Sequence, residues 1–388
     1  MIKVALVKQE NYNPEEIHSK LEEVLSASGI LELVSGKKVL LKPNCTEAFL
    51  PEEGRTTHPQ VLRGTIKLLQ SADAAVKIGE SSSVGIDTSS AYRSTGIAKI
   101  AEELSVELID FKKSRYQEVK IDNGLILKKI KIPTEIFSAD YLFSLAKLKT
   151  NYVSGISGTI KNLKGLLKDA DKKRFHHLGI APALADLMSC LPPTLGLVDG
   201  ILGSELDEPK KGKVLAASVD LVAADYACAK IMGLEPYSVD HLRLAAERGS
   251  GGDISLIPSE LEIIGGEISS FSTKFKSQPP GTESLEQEYQ VFIKDGQACS
   301  SCLGALYLSF KKVKTQRPEL LSILAGKEMV LGDYSGEINP EALLFGNCAV
   351  HKNKSFGTAV RGCVPTTSDF ISGLLQSEKM KKQYNDAH

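Results

Sequence analysis

Four cysteines in the last quarter of the chain have the types and spacing that most clearly indicate chemistry. Cys299 and Cys302 form a C-x-x-C pair, and Cys348 and Cys363 follow them. Each lies near Gly, Ser, Asn or Pro, which predicts turns from which several thiolates can point at one centre. Four sulfur ligands are typical of an iron–sulfur cluster or a structural zinc ion. We therefore predict a metal centre at these four residues, with a 4Fe–4S cluster as the cofactor. Zinc and the absence of any metal are the alternatives.

Lysines recur where predicted strands end, and this pattern indicates a second site. Lys42, Lys147, Lys149, Lys161 and Lys164 all follow or end short apolar runs. Because the carboxyl ends of parallel strands share one edge of a sheet, such lysines could together bind a carboxylate or a phosphate. The alternative is that these lysines are simply solvated.

Other polar residues in the same loops complete the predicted site. His58 lies in a Thr-Thr-His-Pro turn before a predicted helix; it is either a general acid or base, because imidazole titrates near neutrality, or a cap of that helix. The predicted catalytic residues are His58, Lys42 and Lys161. The predicted ligand-binding residues are Asn44, Thr57, Glu80, Ser81, Lys147, Lys149, Asn162 and Asp199.

The elements that must position these residues follow an alternating pattern over the first two thirds of the chain. Strands are predicted over 3–7, 38–42, 75–79, 106–111, 141–145, 195–199 and 215–219, and helices over 14–27, 59–71, 96–104, 181–190, 221–232 and 239–248. The alternation predicts an α/β fold with a mostly parallel sheet flanked by helices. Segments 125–132 and 260–264 are predicted as antiparallel additions.

The composition changes after this region, which predicts two domains. Residues 1–270 are predicted to form the α/β ligand-binding domain. Residues 271–288, where Ser, Thr, Lys, Gln, Pro and Gly dominate, are predicted as a linker. Residues 289–388 are predicted to form a smaller α/β domain that contains the four cysteines.

Composition also excludes several classes of function. The net charge is −1, Trp is absent and aromatic residues are 6% of the 388 residues, which argues against a nucleic-acid partner. We see neither a signal peptide nor an apolar stretch of ~20 residues, so we predict a cytoplasmic protein without a membrane partner. The seven cysteines are an odd number, and in a reducing compartment metal ligation is favoured over disulfides. Neither a G-x-G-x-x-G after the first strand nor a P-loop is present, so nucleotide-binding folds of these kinds lack support.

The ordered loop motifs resemble those of the prokaryotic family called domain of unknown function 362. The motifs are 39–44, Thr56-Thr57-His58-Pro59, Gly79-Glu80-Ser81, 145–150, 158–163, Val198-Asp199-Gly200-Ile201 and the helix that ends at Met232-Gly233-Leu234. The resemblance covers roughly residues 1–265 and implies an α/β fold and association with iron–sulfur clusters, since many members carry a ferredoxin-like module. This chain lacks the close cysteine run of that module, and Cys45 stands where an apolar residue is expected.

Together these patterns predict an oxygen-sensitive 4Fe–4S oxidoreductase of anaerobic type that acts on an anionic small molecule. Its electron-transfer partner would be a protein such as a ferredoxin, and the sequence leaves the oligomeric state open. An iron–sulfur hydro-lyase is the first alternative, if one cysteine is not a ligand and an iron position is open; His351 is a substitute ligand for that case. A non-enzymatic electron-transfer or metallocentre-assembly protein is a second hypothesis, and an enzyme with a structural zinc is a third.

Overall fold

The computed structural model describes residues 1–249, 261–276, 282–353 and 356–387. The chain divides into two compact units. The first unit comprises Met1–Asn151, Ile156–Lys173 and Ala181–Lys276, and the second comprises Tyr152–Gly155, Arg174–Ile180 and Ser277–His388. Both units are α/β, which confirms the predicted fold class.

The first unit is built on a large mixed sheet. Its strands are β1 (Ile2–Lys8), β2 (Lys38–Pro43), β3 (Ala75–Glu80), β4 (Glu107–Asp110), β7 (Tyr141–Asn151), β8 (Gly155–Ser157), β9 (Thr194–Glu205), β10 (Glu208–Ser218) and β11 (Leu261–Ile264), and β5 (Tyr116–Lys120) pairs with β6 (Lys129–Pro133) in a separate sheet. Among the described residues the main sheet has nine strands in the order β11-β1-β10-β9-β7-β2-β3-β4, with β8 paired to β7. The run from β9 to β4 is parallel throughout.

Helices flank this sheet. They are α1 (Pro14–Ala27), α2 (Ile30–Val34), α3 (Pro59–Ser71), α4 (Thr88–Ser94), α5 (Ile97–Glu103), α6 (Thr134–Phe137), α7 (Thr159–Asn162), α8 (Asp169–Leu178), α9 (Ile180–Met188), α10 (Leu221–Ile231) and α11 (Asp240–Gly249). The second half of α8, from Arg174, and the first residue of α9 belong to the second unit. The start of α1 is set locally, because Asn13 Oδ1 accepts hydrogen bonds from the N–H groups of Glu15 and Glu16, and Pro14 occupies the first turn.

Two predictions about the strands are wrong. The strand predicted over 215–219 is the end of β10, which is antiparallel to both β1 and β9. The chain reverses between β9 and β10 through Leu206 and Asp207, whose φ values of 50° and 76° are typical of a two-residue hairpin turn. Segment 260–264 is predicted to be antiparallel, but β11 is parallel to β1, and residue 260 lies outside the described residues. The antiparallel pairing predicted for segment 125–132 is confirmed, because its last four residues lie in β6, which is antiparallel to β5 in the small sheet.

The second unit is built on an entirely parallel sheet within the described residues. Its strands are β12 (Phe292–Gly296), β13 (Glu328–Gly332), β14 (Leu343–Phe345) and β15 (Thr358–Val360), in that spatial order. Its helices are α12 (Thr282–Tyr289), α13 (Ser300–Gln316), α14 (Leu321–Leu324), α15 (Asn347–Lys352) and α16 (Thr367–Ala387). Phe310, Phe345 and Phe370 are fully buried and contact one another in its core.

The segment predicted as a linker, 271–288, is partly structured in both units. Phe271 and Phe275 are buried in the first unit, and α12 covers 282–288 because Leu285 and Tyr289 are buried, with Tyr289 packed on Phe310. Residues 277–281 of this segment lie outside the described residues. In the part of the chain that the structure describes, no helix combines the length and the apolar character needed to cross a bilayer.

Candidate functional site

The carboxyl ends of β2, β3, β7 and β9 meet at one edge of the main sheet, because these strands are parallel neighbours. Ligands of open α/β sheets bind outside this edge. The predicted residues Lys42, Glu80, Lys147 and Asp199 lie on the four strands at this edge. We call the group of polar residues at this edge the strand-end site.

Lys42 and Glu80 form a completely buried ion pair. Lys42 Nζ donates to Glu80 Oε2 at 2.7 Å, to Asn162 Oδ1 at 3.0 Å and to the Pro43 carbonyl at 3.1 Å. An ammonium group has three protons, so no proton of Lys42 remains for a ligand. The structure therefore gives Lys42 a supporting role, which differs from the predicted catalytic one.

Amide and hydroxyl side chains join the strand ends around this pair. Asn162 Oδ1 also accepts from Asn44 Nδ2 at 3.1 Å. Thr57 Oγ1 accepts from the Asn44 N–H at 2.8 Å and donates to the Leu145 carbonyl at 2.9 Å. Asn44, Thr57 and Asn162 are thus bound to neighbouring elements and hold the loops after β2 and β7 in place.

Lys147 and Asp199 form a second completely buried ion pair, as directly opposed residues of β7 and β9. Lys147 Nζ donates to Asp199 Oδ2 at 2.7 Å and to the Tyr12 hydroxyl at 3.0 Å. The Tyr12 hydroxyl donates to Asp199 Oδ1 at 3.0 Å. Sequence reasoning missed Tyr12, which follows β1 without any motif around it.

His58 caps α3 and stacks on Tyr12. Its ring lies 3.5 Å from the Tyr12 ring, nearly parallel to it, and its Nδ1 accepts from the Gln60 N–H at 3.2 Å. Burial lowers the pKa of His58 to about 4, so the ring is neutral near pH 7 and carries its proton on Nε2. The capping alternative is therefore observed, and His58 is better suited to donate a hydrogen bond than to act as a base near neutrality.

Ser81 is held by a lysine that the sequence did not single out. Lys172 Nζ donates to the carbonyl and hydroxyl oxygens of Ser81 at 2.7 and 2.6 Å and to the Ser82 carbonyl at 2.5 Å. Burial lowers the pKa of Lys172 to about 8. All three of its protons are donated, so Lys172 also supports the loops.

Lys149 and Lys161 differ from these supporting lysines. Lys149 Nζ donates to two neutral oxygens, Asn44 Oδ1 at 2.9 Å and the Arg55 carbonyl at 2.8 Å. Lys161 Nζ donates to the Ser157 hydroxyl at 3.4 Å. Among the described residues, no carboxylate lies within ion-pair distance of either ammonium group. The positive charge at the strand-end site is therefore concentrated on Lys149 and Lys161.

Gly165 has no side chain, and this makes room for the Lys42–Glu80 ion pair. A Cβ atom at this position would lie 1.9 Å from Glu80 Oε1 and 2.7 Å from Lys42 Nζ. We expect Gly165→Ala to reduce the free energy of unfolding by about 1–3 kcal/mol, because buried groups must shift. Urea unfolding measures this loss. Gly249→Ala is the control, because, outside its own helix, none of the described residues lies within 4 Å of its Cβ position. An equal effect of both variants would contradict the steric explanation.

The four cysteines lie at the carboxyl edge of the second unit's sheet. Cys299 follows β12 and occupies the N-cap position of α13, and Cys302 lies in the first turn of that helix. Cys348 lies in the first turn of α15 after β14, and Cys363 follows β15. Because β12, β14 and β15 are parallel, these positions share one edge, which we call the thiol edge. The prediction that every cysteine lies on a turn is wrong for Cys302 and Cys348, which are helical.

The thiols of this edge influence one another. A hydrogen bond with the Cys299 thiol, burial and the nearby Cys363 and Cys348 thiols raise the pKa of Cys302. A Cβ atom on Gly346, where φ is +93°, would lie 2.9 Å from Cys302 Sγ, so glycine lets the backbone approach this sulfur. Across the described residues, no three His, Cys, Asp or Glu side chains form a ready-made site for a metal ion. The donor chemistry of four neighbouring thiols nevertheless suits soft metals.

The remaining cysteines are not part of this edge. Within the described residues none of the seven cysteines forms a disulfide, and Cys45 and Cys228 are buried. Burial raises the pKa of the Cys45 thiol to about 12, so the residue that departs from the family pattern is an unreactive core thiol.

Residues 39–230 match the family model described as "Domain of unknown function (DUF362)". The match supports the assignment of residues 39–230 to this family. The match confirms the resemblance of the loop motifs and includes every predicted residue of the strand-end site. It ends before the thiol edge.

Known proteins similar to this chain include a curated one and two solved structures. The thylakoid-associated protein sll1697 of Synechocystis sp. is 25% identical over 249 residues, which cover 61% of this chain and 76% of that protein. A protein from Thermotoga maritima is 13% identical, with a TM-score of 0.38 and coverage of 62% of this chain and 60% of that one. The lactate racemase apoprotein from Thermoanaerobacterium thermosaccharolyticum is 14% identical, with a TM-score of 0.37 and coverage of 60% and 57%. The chain thus spans less than two thirds of either solved structure.

Proposed function

We propose that the thiol edge binds a 4Fe–4S cluster through Cys299, Cys302, Cys348 and Cys363. The observation that supports this most strongly is the placement of all four cysteines at the carboxyl edge of one parallel sheet. Bonding to four thiolates is typical of such clusters, and when bound the cluster supplies one-electron transfer.

A hydrogen bond with the Cys299 thiol, burial and the other neighbouring thiols raise the pKa of Cys302, and the local backbone counteracts this effect. Cys299 and Cys302 lie at the start of α13, a helix of 17 residues. The N-terminus of a helix carries partial positive charge, which stabilises thiolates and the negative charge of a thiolate-ligated cluster. The glycine at position 346 leaves room beside Cys302 Sγ.

We further propose that the chain is an oxidoreductase that acts on an anionic small molecule at the strand-end site. The support is the positive charge of Lys149 and Lys161, for which the described residues supply no carboxylate at ion-pair distance. Because four thiols share the thiol edge, full ligation leaves no open iron position, so we favour electron transfer over the hydro-lyase alternative. A partner such as a ferredoxin would exchange electrons with the cluster. A cytoplasmic location would keep the cysteine thiols from forming disulfides.

The first experiment is chemical and spectroscopic analysis of protein purified without oxygen. We expect a broad absorption band near ~400 nm, about four irons and four sulfides per chain, and an EPR signal in the paramagnetic state of the cluster. Stoichiometric zinc without colour would contradict the cluster and indicate a structural zinc ion instead. Protein without iron or zinc after anaerobic reconstitution would contradict a metal centre.

A further inference from the structure

The lysines of the strand-end site fall into two groups by their counter-charges. Lys42 and Lys147 each bind a buried carboxylate at 2.7 Å. Lys149 and Lys161 bind only neutral oxygens in the described part of the chain. Lys164 lies three residues after Lys161, and its ammonium group contributes to the low pKa of Lys161. Burying cations without neutralising them is costly, and this cost is reflected in the pKa of Lys161, which burial lowers well below its usual value. A bound anion would supply the missing negative charge.

A buried imidazole lies beside this group. His241 is on α11, which packs against α7, and only 1% of its surface is exposed. Its Nε2 atom has no hydrogen-bond partner among the described residues. The Lys161 ammonium is near enough to add to the effect of burial, which lowers the pKa of His241 to about 3. A polar atom buried without a partner is rare in proteins and indicates a missing hydrogen-bonding group.

The backbone N–H groups at the N-terminus of α7 are not available to bind an anion. Asp225 accepts hydrogen bonds from the N–H groups of Thr159 and Ile160 at 2.6 and 3.0 Å. The N-terminus of this short helix is therefore already occupied by a carboxylate of the protein itself. An anion at this place must be bound by side chains.

We propose that Lys149, Lys161 and Lys164, together with His241 Nε2, bind one small dianion, a phosphate-type ion or a dicarboxylate. This inference rests on the anion site proposed above and specifies its members and the charge of its ligand. A bound anion favours the charged form of each lysine. Two ammonium groups without a carboxylate at ion-pair distance among the described residues, and a third close to them, are better neutralised by two negative charges than by one. A monoanion such as acetate would leave part of this charge uncompensated.

Binding should be coupled to proton uptake. In the free protein, burial lowers the pKa of Lys149 to about 8 and that of Lys164 to about 7. A bound dianion favours the charged lysines and raises both pKa values, so affinity should fall as the pH rises through 7 to 9. The other charged groups that act on these lysines are Arg55, Asp207, Lys147 and Glu47 around Lys149, Asp207 near Lys161, and Lys172 near Lys164.

Calorimetric titration of the full chain at pH 7 and constant ionic strength tests the proposal. The probes are inorganic phosphate, succinate and acetate. We expect phosphate or succinate to bind at least tenfold more tightly than acetate, and repetition at pH 8 in buffers of different ionisation enthalpy should show net proton uptake. Preference for phosphate or for succinate would assign the class of dianion.

Two variants separate binding from structure. Lys161→Met should weaken binding of the preferred dianion at least tenfold. It should also raise Tm without ligand, because it removes a half-buried amine that has no carboxylate at ion-pair distance among the described residues. His241→Phe keeps the ring volume and should also weaken binding without lowering Tm. Lys99→Gln is the control, because Lys99 is exposed on α5 in the same unit, and its affinity and Tm should not change.

The outcomes distinguish this inference from the proposal on which it depends. If none of the three anions binds, the anion site itself is contradicted. If acetate binds as tightly as both dianions, the anion site is supported and the inferred preference for a dianion is wrong. If Lys161→Met lowers Tm and leaves affinity unchanged, Lys161 is structural and the inferred set of ligands is wrong.

Discussion

Lys42→Met is expected to reduce the free energy of unfolding by about 3–5 kcal/mol, because it leaves the carboxylate of Glu80 buried without its cation. Glu80 is 1% exposed, and its Oε2 atom lies 2.7 Å from Lys42 Nζ. The measurement is urea unfolding at pH 7. Adding Glu80→Gln to the variant should recover part of the loss, because a neutral amide costs less to bury than a carboxylate.

The neighbouring strand offers a matched control for this prediction. Lys77 on β3 and Glu107 on β4 form an ion pair of the same length, 2.7 Å, with 57% and 58% of their side chains exposed. Lys77→Met should cost less than about 1 kcal/mol, because solvent screens an exposed pair. Similar small losses for Lys42→Met and Lys77→Met would contradict the supporting role given to Lys42.

Cys302→Ser is expected to remove most of the iron from anaerobically purified protein, from about four irons per chain to fewer than one. A hydroxyl is a harder and weaker ligand for iron in a sulfur environment than a thiolate. Cys302 is the least exposed cysteine of the thiol edge, so water cannot readily replace its sulfur. Iron and sulfide analysis together with the visible spectrum measures the loss.

Two further variants make this prediction specific. Cys190→Ser is the control, because Cys190 lies outside the thiol edge and a serine hydroxyl can keep its hydrogen bond to the Leu187 carbonyl. Gly346→Ala retains all four thiols but places a Cβ atom 2.9 Å from Cys302 Sγ, and we expect it to lower the iron content as well. Unchanged iron and sulfide in Cys302→Ser would remove this residue from the proposed ligand set.

Local signals allowed much of the fold to be predicted. The bounds of α1 and α3 follow from a capping side chain and a proline at each start, here Asn13 with Pro14 and His58 with Pro59. The antiparallel direction of β10 could not be predicted in the same way. It depends on Leu206 and Asp207 adopting positive φ values, and this dipeptide lacks the glycine that usually marks such a turn.

The residues of the strand-end site could be predicted from the sequence, but their contacts could not. Its residues were identifiable because polar side chains follow apolar strands, but their partners are distant in the chain. Lys42 and Glu80 are 38 residues apart, and Lys147 and Asp199 are 52 apart. The sequence therefore suggested that all the lysines contact a ligand, whereas the structure shows that Lys42 and Lys147 are neutralised internally. His241 was missed because a single histidine in a helical segment carries no motif.

The division of the chain into two units shows which segments of the sequence the thiol edge depends on. Tyr152–Gly155 and Arg174–Ile180 belong to the second unit, although they precede most of it in the chain. They are bonded within that unit, since Ser301 Oγ donates to the Val153 carbonyl and the Cys363 N–H donates to the His176 carbonyl. A gene segment that encoded only the residues after Lys276 would lack these partners. Part of the structural support of the thiol edge therefore lies within the DUF362 region, residues 39–230.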